Sequence, residues 1–137
     1  MTEQENTNVI RSAYNNFKTG DIPGLLNLFA EDIQWTYPTI TNVPYARNHE
    51  GRADVANFFA TLNEVAECTD FSPRTFTAAG DQVIAQGSYT FRVRENGRSY
   101  TCEFAHFFEL KNGMVQNFQE YSDTAAVMIA FEKAMSA

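Results

Sequence analysis

A chain of 137 residues with 44% apolar side chains is sized for one domain, residues 1–137, and can bury a continuous core. Ten Lys and Arg against 17 Asp and Glu leave a net charge of -7, which repels phosphate backbones and anionic lipid surfaces and so argues against nucleic acid or a membrane as partner. No stretch approaches the ~18 apolar residues of a membrane span. Cys68 and Cys102 are too few for a disulfide framework and read as reduced packing residues. The opening segment, MTEQENTNVIRSAYNNF, lacks a basic region followed by an apolar run, which reads as cytoplasmic.

In chain order, Val9, Ile10, Ala13, Tyr14 and Phe17 recur at helical spacing up to a stop at Gly20. Asp21 is placed to cap a second helix whose buried stripe is Ile22, Leu25, Leu26, Leu28 and Phe29, giving a helical hairpin of about thirty residues. The period then changes to two: Ile33, Trp35 and Tyr37 alternate with polar residues as a short strand. The aperiodic stretch from Thr39 to Gly51 is long enough to rim or cover a pocket. A third helix is expected from about Arg52 to Glu67, burying Val55, Phe58, Phe59, Leu62 and Val65.

Four antiparallel strands follow, Phe71 to Ala79, Gln82 to Glu95, Arg98 to Lys111 and Met114 to Tyr121, separated by Gly80-Asp81, Asn96-Gly97 and Asn112-Gly113. Asp123 caps a last helix, TAAVMIAFEKAMSA, that buries Val127, Met128 and Phe131. The fold class is therefore α+β, with a curved antiparallel sheet wrapped around helices and an internal pocket.

A two-residue turn at Asn96-Gly97 pairs Phe91 with Cys102, Tyr89 with Phe104 and Gly87 with His106. One face then holds Ala85, Tyr89, Phe91, Val93, Tyr100, Cys102, Phe104, His106 and Phe108, the other Thr90, Arg92, Arg94, Ser99, Thr101 and Glu103. His106 thus stands on an apolar face, either as a core histidine or as a functional one. Its candidate partner is Glu120, and the turn decides. A two-residue type I′ turn at Asn112-Gly113 sends Glu120 outward. A three-residue loop with Gly113 in a G1 bulge pairs Phe104 with Glu120 and His106 with Phe118, and puts the carboxylate on the inner face. The second register is preferred because it buries Phe118 rather than Asn117 and Gln119. A carboxylate beside a histidine in an apolar pocket is equipped for acid–base chemistry, or is a structural pair. Trp35, Tyr37, Tyr89, Phe104, Phe108 and Phe118 are the candidate ligand contacts. Cys102 lies too far along the strand from His106 for a thiolate–imidazole pair, and His49 next to Glu50 is weak evidence for metal. No metal or cofactor is expected.

The segments TGDIPGLLNLFAEDIQWTYP, HEGRADVANFF and EFAHFFELKNGMVQNFQEYSDT, in this order of elements, resemble the SnoaL-like, ketosteroid-isomerase-related group of the nuclear transport factor 2-like superfamily. The resemblance implies a cone-like cavity. Aligned on Gly113, it places the histidine and the acid/base aspartate of the polyketide cyclases on His106 and Glu120. The steroid isomerases match less well: their base falls near Tyr37, their oxyanion carboxylic acid near His106, and their helix-one tyrosine at Ala13, with Tyr14 one residue off and expected to face elsewhere. The epoxide hydrolases require an arginine that the inner face lacks. The resemblance implies an acid–base enzyme of isomerase, cyclase or lyase type acting on a small apolar carbonyl compound. The alternative is a non-catalytic binder of a small apolar or aromatic ligand. Phe107 and Tyr121 on the polar outer face suggest a homodimer through that face.

Overall fold

The computed structural model describes residues 1–132. α1 (Glu3–Thr19) opens with a capping box in which Thr2 accepts the Glu5 N–H and Glu5 accepts the Thr2 N–H. It closes at Gly20, φ +80°, a left-handed cap that suits glycine. Its inward stripe is Asn6, Ile10, Ala13 and Tyr14. α2 (Ile22–Leu26) is one turn, not the longer helix the apolar stripe suggested. The chain leaves it because the Leu28 carbonyl accepts the Val115 N–H, so Phe29 begins a strand.

That strand is β1 (Phe29–Thr36). After it come β2 (His49–Glu50), α3 (Arg52–Val65), β3 (Ala66–Ala79), β4 (Gln82–Val93), β5 (Ser99–Lys111), β6 (Met114–Ser122) and α4 (Thr124–Phe131). The six strands form one sheet in the order β2-β1-β6-β5-β4-β3. Two features depart from the sequence expectation. β1 runs parallel to β6, so the sheet is mixed rather than wholly antiparallel, and His49–Glu50 is a short edge strand on β1 rather than loop. β3 also starts earlier than expected, because α3 passes into it without a loop.

The stretch from residue 37 to 48 borders the internal cavity through Tyr37 and Tyr45: Ile40, Val43, Tyr45 and Ala46 are buried, and Tyr45 is hydrogen-bonded to Tyr100 (2.8 Å). Bulges at Cys68/Asp70 and Pro73/Thr75 bend β3, and bulged strands twist more strongly. At Gly87 a Cβ would sit 2.3 Å from the Ser72 carbonyl and 2.6 Å from Pro73 Cα, so only glycine permits that approach of β4 to β3.

The β4–β5 loop has four residues, Arg94 to Gly97, closed by the Val93 N–H on the Arg98 carbonyl (2.8 Å). Phe91 therefore pairs with Tyr100, Tyr89 with Cys102, Gly87 with Phe104 and Ala85 with His106. This differs by two residues from the two-residue-turn register, and a shift of two leaves every side chain on its expected face. Asn96 and Arg98 are drawn out of the turn to cap α4, donating to the carbonyls of Ala130 and of Ile129 and Glu132. α4 buries Val127 and Ala130, while Met128, expected inside, is 42% exposed and Phe131 half-buried. The predicted continuation over 133–137 lies outside the described residues.

Candidate active site

The β5–β6 hairpin decides where Glu120 goes. Asn112 (φ +53°) and Gly113 (φ +77°) are both left-handed, the signature of a two-residue type I′ turn, and Lys111 pairs with Met114. The G1 bulge expected at Gly113 is absent. The correction comes three residues later: Leu110 pairs with Val115 but Glu109 with Asn117, so Gln116 is an extra residue in β6. Its side chain is held by Asp32 of β1 (2.9 Å). Val115, Phe118 and Glu120 consequently all face inward. The pairings are Phe104 with Ser122, His106 with Glu120 and Phe108 with Phe118, not the Phe104–Glu120 and His106–Phe118 pairs inferred from the turn. The shared face holds; its cause is a strand bulge.

Five side chains from four elements, α1, β4, β5 and β6, meet there. His106 Nε2 lies 2.7 Å from Glu120 Oε1, and both residues are 5% exposed. Tyr89 (3.0 Å) and Ser122 (2.8 Å) donate to Oε2. On the other edge of the imidazole, Nδ1 is 2.8 Å from the Tyr14 hydroxyl. With neutral His106 one assignment satisfies every group: Tyr14 donates to Nδ1, and Nε2–H donates to the carboxylate. Burial alone would raise the Glu120 carboxyl, but hydrogen bonds, from His106 first and then from Ser122 and Tyr37, hold it below its ordinary 4.5. Burial, reinforced by the Glu120 charge, pushes the Tyr14, Tyr37 and Tyr89 phenols well up, so they act as O–H donors.

Tyr14 therefore does not face elsewhere. It lies on the buried stripe with Ile10 and Ala13, a helical spacing that places it inward regardless of where the isomerase tyrosine aligns. Ser122 was missed too, although it sits two strand residues from Glu120 and so shares its face.

The cluster borders an internal cavity of about 80 Å³. Trp35, Tyr37, Tyr89, Phe108 and Phe118 line it. Phe104 does not: it stacks behind His106 with ring centroids 4.1 Å apart. Ligand pockets commonly exceed ~300 Å³, so a ring-sized guest requires side chains to move. A larger groove of about 760 Å³ between α1, α3 and β3 adjoins the cavity, and Phe17, Phe59, Leu62, Phe71 and Phe91 line both. One layer of side chains separates the two spaces.

The remaining polar candidates are structural. Arg52 donates twice to the Phe29 carbonyl (2.8 and 3.1 Å), joining α3 to β1. His49 is buried between the Tyr45 carbonyl (3.2 Å) and Asp54 (3.3 Å). Among the described residues no cluster of three His, Cys, Asp or Glu side chains is placed to hold a metal, and no helix is long and apolar enough to cross a membrane.

Solved structures define the class. An NTF2-like protein from Burkholderia xenovorans is 30% identical, with a TM-score of 0.86 over 96% of this chain and 99% of its own. An NTF2-like protein from Burkholderia pseudomallei is 25% identical, with a TM-score of 0.85 over 97% and 100%. TerC, co-crystallised with polyporic acid, is also 25% identical, with a TM-score of 0.79 over 94% and 99%. The fold is that of the NTF2-like proteins. Within that class the SnoaL-like domain model matches residues 10–118, and the chain belongs to this family. The match includes His106 and Tyr14 but stops short of Glu120. No curated protein matches the sequence significantly.

Proposed function

We propose that this protein is an acid–base enzyme acting on a small, largely apolar carbonyl compound, with Glu120 and His106 moving a proton at the carbon next to the carbonyl. The observation that carries this reading is the buried Tyr14–His106–Glu120 chain at the wall of an aromatic cavity. Glu120 takes a C–H proton, the electron pair moves into the carbonyl as an enolate, and the carboxylic acid returns the proton at the same or another position. Tyr37, which lines the cavity beside the same carboxylate with its phenol kept protonated by burial, is the hydroxyl assigned to the carbonyl oxygen. His106 stabilises the carboxylate and, through Tyr14, can carry its proton on either nitrogen. That TerC was co-crystallised with polyporic acid supports a small organic ligand for a protein of this fold.

One observation favours the second reading, a non-catalytic binder: a carboxylate held low by several donors is a weak base. Deuterium exchange at the methyl groups of 1,4-diacetylbenzene in D2O, followed by NMR, separates the two. An enzyme accelerates exchange, and Glu120→Gln lowers the rate at least ~100-fold. Equal rates with the two proteins select the binder. We also propose a homodimer through the outer sheet face, where Phe107 and Tyr121 pack edge to face at 5.6 Å and Tyr121 is 55% exposed.

A further inference from the structure

Most polar groups around the cavity already have partners: the Tyr14 and Tyr89 hydroxyls, both His106 nitrogens, both Glu120 oxygens and the Tyr45–Tyr100 pair. Trp35 is different. Its indole Nε1–H is buried without an acceptor, and among the described residues it is the one cavity-lining side chain with such an atom. Buried donors are ordinarily satisfied, and those that are not call for an explanation. Packing gives the indole no polar neighbour: it stacks on Phe118 (3.8 Å, 20°) and meets Phe29, Phe58 and Phe59 at 5.3 to 5.6 Å. The same Phe118 packs against His106 at 4.9 Å, so one phenyl ring stands between the indole and the imidazole.

We propose that Trp35 Nε1–H is a second recognition point of the cavity, donating to an oxygen of the ligand remote from the carbonyl whose oxygen meets Tyr37. The ligand class is then a planar apolar body with oxygen acceptors at two ends, rather than a hydrocarbon carrying one carbonyl. This rests on the proposed ligand-binding role of the cavity but not on catalysis. Selectivity arises because an analogue lacking the second acceptor leaves the indole N–H unpaired.

The test uses two near-isosteric probes, 1,4-diacetylbenzene and 4-isopropylacetophenone, with Kd measured for the wild type and Trp35→Phe. The expected result is that the affinity ratio, diacetyl over isopropyl, falls about three- to tenfold in Trp35→Phe. An unchanged ratio, or failure of the wild type to bind 1,4-diacetylbenzene, overturns the proposal. Because the chain has one tryptophan, its single indole 1H–15N signal gives a second readout on unmodified protein. 1,4-Diacetylbenzene should move that signal downfield and the isopropyl analogue should not; a signal unmoved by the diketone also overturns the proposal. If the wild type catalyses no exchange while the ratio still responds to Trp35→Phe, catalysis falls and this recognition point stands.

Discussion

Replacing Glu120 by Gln and by Ala should have very different costs, and the difference follows from the partners of its two oxygens. In the native site Oε1 accepts from His106 and Oε2 from Tyr89 and Ser122. Each hydrogen bond to a charged acceptor is worth ~1.5–3 kcal/mol against ~1 kcal/mol for a neutral one, so neutralising the acceptor forfeits about 3 kcal/mol. Removing a carboxylate from a dry site returns several kcal/mol of desolvation, on the order of the loss. The amide also finds partners in either orientation. The Tyr89 and Ser122 hydroxyls can rotate to accept, and His106 can shift its proton to Nδ1 because Tyr14 can accept as well as donate. Glu120→Gln should therefore lie within about 2 kcal/mol of the wild type. Glu120→Ala offers no acceptor and strands two buried donors, on His106 and Tyr89, and the part-buried Ser122 hydroxyl, at ~1–3 kcal/mol each, a total of about 4 kcal/mol or more. Urea unfolding at pH 7 measures both. Equal destabilisation by the two substitutions would refute the view that the cluster adapts by moving protons rather than atoms.

The acid limb of stability tests the depressed Glu120 carboxyl. A group held below 4.5 in the folded state contributes stability that is complete above its unfolded value and is lost as pH falls through the folded one. The stability of the wild type relative to Glu120→Gln should accordingly decline below about pH 4.5, and a pH-independent difference would contradict it. Tyr14→Phe keeps a ring packed against Phe71, Phe104 and Phe108 but leaves Nδ1 of His106 unpaired. The expected cost is about 1–2 kcal/mol in denaturant unfolding, and no loss would mean that the hydroxyl is replaceable by solvent. Phe71→Ala opens the wall between cavity and groove, so acrylamide quenching of Trp35 fluorescence should rise several-fold, while Phe107→Ala on the outer face should leave it unchanged. Tyr121→Glu should convert a dimer to monomer in sedimentation velocity; a monomeric wild type would remove the outer-face proposal.

Faces were more legible in the sequence than register. Alternation from Ala85 to Phe108 assigns the inner side correctly even though the β4–β5 loop has four residues, because an error of two preserves parity. In β6 parity itself changes, and the turn residues alone argue for the wrong face. The usable signal is the spacing of Val115 and Phe118, two large apolar residues separated by the polar pair Gln116 and Asn117, which a regular half-buried strand would not place on one side. The α2 stripe misled because Leu28 and Phe29 continue a helical period while their backbone is claimed by β6, a partner more than eighty residues away. The parallel β1–β6 pair is non-local in the same way. Tyr14 was recoverable from helical phase alone.

The hydrogen bond between Tyr14 and His106 spans 92 residues of chain. The sheet from β3 to β6 is built of consecutive hairpins, each closed by a short turn, and can form from contacts near in sequence. α1 has no such local route to β5. Its docking requires a long loop to close, and loop closure is repaid only when both surfaces are ready. Assembly of the site therefore depends on the closure of that long loop as well as on the local hairpins. A chain with its sheet formed and α1 undocked would already hold the His106–Glu120 pair, but with the inner aromatic face open to water and the imidazole lacking its hydroxyl partner. Such a chain would expose apolar surface of the kind that aggregates, and the capping box at Thr2 and Glu5 supports the helicity of α1 by contacts that do not depend on its docking.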